Sequence, residues 1–228
     1  MKKAAIVVLS IVIPVFVVLS CMHASVVSDH FFFRQYQLNH VSDETEIEEA
    51  ELMRITDEIQ LYLLGKRPDF IIDGTVDGRT RQVFNEREVR HMEDVRRLFA
   101  AGLLIRNAAG ILLIVLAVYL WKVQQSRLFN AMLFGSAGFF CLALAAGLLF
   151  ALDFQRYFIL FHEVFFTNDL WLLDPQTSIL INMVPLPFFT AVAQRIMIHS
   201  AVILAGIGAA GFLGGRRMRQ KNKNHSVV

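Results

Sequence analysis

Long apolar runs alternate with polar stretches along the chain, and four of those runs can cross a hydrocarbon core. They cover residues 4–22, 98–121, 128–152 and 188–215, and a helical span needs about 20 residues. A backbone in lipid must satisfy its own polar groups, so each run is expected to be a helix. The 228 residues are 55% hydrophobic with mean hydropathy +0.50, a composition of the membrane class.

Charge orders these runs. Lys2 and Lys3 precede the first, Lys122 and Arg127 flank the link between the second and third, and Arg216, Arg217, Arg219, Lys221 and Lys223 follow the fourth. With four crossings, all three clusters fall on one side, which positive-inside bias makes cytoplasmic. The expected layout is a first transmembrane helix over 1–22, an extracytoplasmic head over 23–97 and a second span over 98–121. A third span over 128–152, an extracytoplasmic interfacial segment over 153–187, a fourth span over 188–215 and a basic tail over 216–228 complete it. The fold class is thus a mainly α membrane protein. It is a four-transmembrane-helix bundle with a small α+β head between helices 1 and 2, with both termini cytoplasmic. The tail is suited to anionic inner-leaflet lipid. The first run exceeds the about 7–15 apolar residues of a cleavable leader. It therefore reads as an uncleaved anchor, with cleavage before Cys21 as the alternative. Cys21 and Cys141 lie in or beside spans, so neither a structural disulfide nor a thiolate metal site is implied.

The head opens acidic. Residues 42–64 carry Ile47, Leu52, Ile55, Ile59, Tyr62 and Leu63 on one side, and Ser42 or Asp43 can cap a helix there. Gly65 and Pro68 then stop it. Residues 70–84 predict a hairpin around AspGly turns at Asp73–Gly74 and Asp77–Gly78. Asn85, with Glu88 three residues on, has the form of a capping box opening the next helix. On that helix His91 falls inside the apolar arc, between Val95 and Leu98, with Asp94 and Arg87 one turn away. A lone histidine so placed is most often a satisfied core residue.

The second polar segment alters that balance. Phe154, Tyr157, Phe158, Phe161, Phe165 and Phe166 crowd into it, with His162 and Glu163 in their midst and Asn168, Asp169 and Trp171 following. Aromatic rings favour the headgroup zone, and desolvated polar groups there need partners. His91 is expected at the same depth. Arg106, just inside span two, either snorkels to headgroups, the favoured reading, or holds an anionic group.

Familiar catalytic patterns are absent. His162–Glu163 lacks the second histidine of HExxH, and neither a nucleophile elbow nor a phosphate loop occurs. His91, Asp94, His162 and Glu163 could ligate a metal, but their spacing does not require one, and no metal or cofactor is expected. Two imidazoles near a lipid–water boundary suit proton transfer on a lipid-linked substrate. The competing reading is a non-enzymatic envelope protein whose head binds a partner or senses a signal. A proton-coupled transporter ranks last because the histidines lie outside the spans.

Residues 84–97, FNEREVRHMEDVRR, and 161–175, FHEVFFTNDLWLLDP, resemble the signature stretches of the bacterial lipoprotein intramolecular transacylase (Lit) family. The span layout resembles it too, so the resemblance covers nearly the whole chain. Ser178 stands where an acidic residue is common in the family, and Leu186 where a glutamate is common, which bears on substrate preference. The resemblance implies transfer of the sn-2 acyl chain of a diacylglyceryl-cysteine lipoprotein onto the α-amine of the same cysteine, giving the lyso form. It implies His91 and His162 as the essential pair. Asp94, Glu163 and Asn168 would set tautomers, Asp169 and Arg106 would support the site, and Trp171 with the phenylalanines would line an acyl groove. Expected partners are diacylated lipoproteins and membrane phospholipid, not nucleic acid.

Overall fold

A computed structural model of the chain describes residues 2–225. The side chains of Lys2, Lys221 and Lys223, parts of two expected charge clusters, lie outside what is described. In chain order come α1 (Lys2–Val26), α2 (Asp29–Leu38), α3 (Val41–Thr45) and α4 (Glu49–Leu63). The strands β1 (Asp73–Val76) and β2 (Arg79–Gln82) follow, then α5 (Glu86–Phe165), α6 (Ile179–Met183) and α7 (Leu186–His225). Three of these helices are long and apolar enough to cross a membrane: Lys3–Val26, Glu86–Phe165 and Leu186–Gln220. Four spans were expected. The count differs because both central apolar runs lie on α5, whose helical hydrogen bonding continues without a break through the expected link at 122–127. Yet α5 doubles back. His91 and His162 have ring centroids 6.2 Å apart, whereas a straight helix would separate residues so spaced by roughly 105 Å.

The chain forms two units. One comprises residues 1–22, 103–151 and 196–228, and its core joins Leu9, Ile13, Val17 and Cys21 to Leu120, Ala131, Phe139 and Leu204. With lipid outside, water drives none of this association, so close backbone approach and interhelical hydrogen bonds carry it. The Ser10 hydroxyl bonds its own turn at the Ile6 carbonyl (2.9 Å) and reaches the Ala131 carbonyl at 3.2 Å. A Cβ at Gly135 would sit 2.6 Å from the Ser10 carbonyl oxygen, so only glycine permits that approach.

The other unit comprises residues 23–102 and 152–195. Its core gathers Phe31, Phe32 and Tyr36 from α2 with Leu52, Ile55 and Ile59 from α4, and with Phe70, Ile72 and Phe84 from the hairpin region. Each such side chain contributes about 1.5–3 kcal/mol through burial. The helix expected over 42–64 is broken. Glu46 adopts the left-handed region (φ 55°), which turns the chain so that Ile47 enters the core at 1% exposure. Ser42 therefore caps nothing and donates to the Ile47 carbonyl at 2.6 Å. The hairpin forms with one turn, not two. Asp77 and Gly78 both have positive φ (50° and 67°), the tight-turn geometry that glycine favours. Asp73–Gly74 instead pairs within the ladder, opposite Gln82 and Arg81.

The capping box at Asn85 is realised. Asn85 Oδ1 accepts from the Glu88 amide (3.1 Å), and Glu88 Oε2 accepts from the Asn85 amide (2.6 Å). Glu88 is only 1% exposed, and its second oxygen accepts from the Ser178 hydroxyl (2.6 Å) and the Leu180 amide (2.7 Å). One carboxylate thus caps the helix bearing His91 and pins the start of α6 to it. Replacing Glu88 by Ala leaves three donors without an acceptor, a loss of about 3 kcal/mol. A thermal melt of the purified protein in detergent should fall on the order of 10 °C, with Ser178→Ala much milder. Equal melting of Glu88→Ala and the parent would refute this role.

Candidate active site

His91 and His162 occupy the two arms of α5 that flank its apolar runs. The capping box fixes the phase of the first arm and turns His91 inward with Met92, at 8% and 5% exposure. His162, also 8% exposed, lies three residues before the end of the second arm. Its Nδ1 lies 2.7 Å from the Phe158 carbonyl. A carbonyl can only accept, so Nδ1 carries the proton there and the lone pair of the neutral ring is on Nε2. His91 Nδ1 is buried with no hydrogen-bond partner among the described residues.

Residues 166–171 cross beside both rings. Phe166 lies 5.5 Å from each imidazole, and Trp171 stacks on His162 at 4.8 Å and 29°. Two polar ties hold this strap to the His91 arm. Asn168 Nδ2 donates to Asp94 Oδ2 at 2.8 Å. Arg87 donates to the Asp169 carbonyl and lies 3.5 Å from its carboxylate.

Burial dominates the electrostatics of the pair. It lowers His91 from 6.5 to about 4, seconded by the neighbouring His162 and by Arg87 and partly offset by Asp94. His162 is also lowered by burial, against the raising effect of its Phe158 bond. Both rings are therefore neutral near pH 7, so each can offer one lone pair and one N–H.

Six of the eight site residues expected from sequence come together here: His91, His162, Asp94, Asn168, Asp169 and Trp171. Glu163 is exposed, and it is the Phe158 backbone, not Glu163, that fixes the His162 tautomer. Asp94 acts on His91 through charge, while its oxygens accept from Asn168 and from Arg97 (3.2 Å). Arg106 belongs to the other unit, where its guanidinium donates to the side-chain oxygen Oδ1 of Asn107 at 2.9 Å. Sequence reasoning missed the Phe158 carbonyl, the Phe166 packing and the pinning role of Glu88. Only Glu88 had a signal, in its capping-box position. Among the described residues, no three metal-ligating side chains cluster.

A family model for the lipoprotein intramolecular transacylase Lit matches residues 7–189. The chain belongs to the Lit family. Lit-family membership makes it an acyltransferase of lipoproteins, and its long apolar helices fit a membrane-integral member. The fold is similar to that of the membrane-integral Lit from Bacillus cereus, with TM-score 0.75 and 22% identity over 100% of this chain and 99% of that one. A structure of the same Bacillus cereus protein with a histidine-to-alanine substitution also has TM-score 0.75, at 19% identity over 96% of each chain. No curated protein sequence matches the chain.

The neutrality of His91 is open to measurement. The folded chain holds fewer protons than the unfolded one between pH 6.5 and about 4, so stability falls as pH drops through that window. In 15N-histidine-labelled protein in micelles, the His91 ring should remain neutral at pH 5.5. An imidazolium at that pH would contradict its desolvation.

Proposed function

We propose that His91 and His162 move the sn-2 acyl chain of a diacylglyceryl-cysteine lipoprotein onto that cysteine's own α-amine. The observation that carries this is the placement of two buried imidazoles with ring centroids 6.2 Å apart, close enough to engage one reacting centre from both sides. The α-amine has a reference pKa of about 8 and is mostly protonated at neutral pH, so a base must free its lone pair.

The surroundings of the rings support a division of labour. His162, with Nδ1–H held by Phe158, presents Nε2 as the base. His91 has a buried Nδ1 with no hydrogen-bond partner among the described residues, and a buried bare acceptor is better tolerated than a buried orphan N–H. Its proton therefore belongs on Nε2, which makes His91 the donor to the carbonyl oxygen. His162 takes one proton from the ammonium and passes it to water, and the freed amine nitrogen bonds the ester carbon. His162 then takes the second proton from the nitrogen of that adduct, the carbon's bond to the glycerol sn-2 oxygen breaks, and the proton leaves His162 for that alkoxide. Amide forms, ester is lost and the enzyme is regenerated. Because amine and ester share one molecule, the effective molarity can reach about 10⁵ M, and no serine or cysteine acyl-enzyme is needed.

The same reading makes α5 cross the membrane twice, which gives four crossings in all, with both termini cytoplasmic and the histidines outside. Basic residues at Lys122, Arg127, Arg216, Arg217 and Arg219 support that orientation.

Lipoproteins from a host expressing His91→Ala or His162→Ala, examined by mass spectrometry, test the proposal. Each variant should lose lyso-form product by about 10²–10⁴-fold in rate, while expression and membrane insertion persist. Unchanged product from either variant removes that histidine from the reaction.

A further inference from the structure

A base that takes a proton becomes a cation, and the described contacts give His162 no carboxylate to balance it. Asp94 is engaged by Asn168 and Arg97, and Asp169 faces Arg87. Glu163, its chain neighbour, is exposed. The nearest titratable ring, His91, would repel a second charge. What surrounds His162 is aromatic. Phe158 lies at 4.4 Å, Trp171 at 4.8 Å, Phe161 at 5.4 Å and Phe166 at 5.5 Å between ring centroids.

These rings are not equivalent. A cation within about 6 Å of a ring centroid is attracted by the negative π-face, most strongly by tryptophan. Trp171 is near-parallel to the imidazole at 29°, whereas Phe161 stands edge-on at 83°. Trp171 also rides on the strap tied to the His91 arm by Asn168–Asp94 and Arg87–Asp169. Its position over His162 is therefore set by the same arm that supplies the second imidazole.

We infer that Trp171 is the electrostatic partner of His162, a positioning residue whose indole face stabilises the imidazolium formed as the substrate ammonium gives up its proton. This rests on His162 being the base. It assigns Trp171 a role distinct from walling an acyl chain: a hydrocarbon wall would serve as well if it were aliphatic, a charge partner would not.

Fluorinated tryptophans installed site-specifically at position 171 separate the two roles, since fluorine drains the π-face with little change of shape. The His162 titration, read by NMR in micelles without substrate, should shift downward stepwise by about one pH unit across the series. Plateau turnover of a synthetic diacylglyceryl lipopeptide should fall roughly three- to tenfold in parallel. Trp171→Phe should keep part of both and Trp171→Leu neither. A His162 titration that stays flat across the fluorinated series overturns the inference, whether or not Trp171→Leu is folded. A titration that shifts while turnover does not follow supports the pairing and overturns the reading of His162 as the base.

Discussion

Two imidazoles withdrawn from water, with ring centroids 6.2 Å apart, disfavour positive charge on either ring and most of all on both at once, and the unit around them keeps them so placed. Burial is the largest cause of the depressed basicity in each ring. Proximity adds to it, because a charge on His162 disfavours one on His91. The fold meets this constraint by returning α5 on itself, so that residues roughly seventy apart in sequence become neighbours. The Asn85 cap sets which face of the first arm points inward. Glu88 then fastens the start of α6 to that arm through a fully used carboxylate.

Neutrality alone would leave the pair interchangeable. The proposed asymmetry comes from what each ring meets behind it: a backbone carbonyl behind His162 and, among the described residues, no hydrogen-bond partner for Nδ1 of His91. One ring is thereby suited to accept a proton and the other to donate one. Intramolecular acyl transfer asks for little more, since the nucleophile and the ester arrive already joined. The aromatic shell around His162 fits the same requirement, because it excludes water and still offers π-density to a transient cation.

Much of this was legible in the chain, for identifiable reasons. The Asn85 cap and the Asp77–Gly78 turn are local signals and form where expected, and the four apolar runs are helical throughout. What was not legible depended on distant contacts. Glu46 breaks the acidic helix because Ile47 has a core to enter, which no local propensity announces. The Asp73–Gly74 dipeptide looks like a turn, yet strand pairing with Arg81 and Gln82 overrides it. The tautomer of His162 is fixed by a main-chain atom, invisible to any reading of side-chain types, and Glu163 was an attractive but exposed substitute. Glu88 was seen as a cap, while its grip on Ser178 and Leu180 required knowing that the segment returns to that point.

The central claim is that both rings act on one reacting centre, and a double-substitution cycle tests it most directly. Turnover of a synthetic diacylglyceryl lipopeptide would be measured for the parent, His91→Ala, His162→Ala and the double variant. Groups that work as a unit are grossly non-additive, so the double variant should be about as slow as the slower single one. Losses that multiply, with the double variant slower by the product of the two single effects, would show two independent contributions and contradict the shared site.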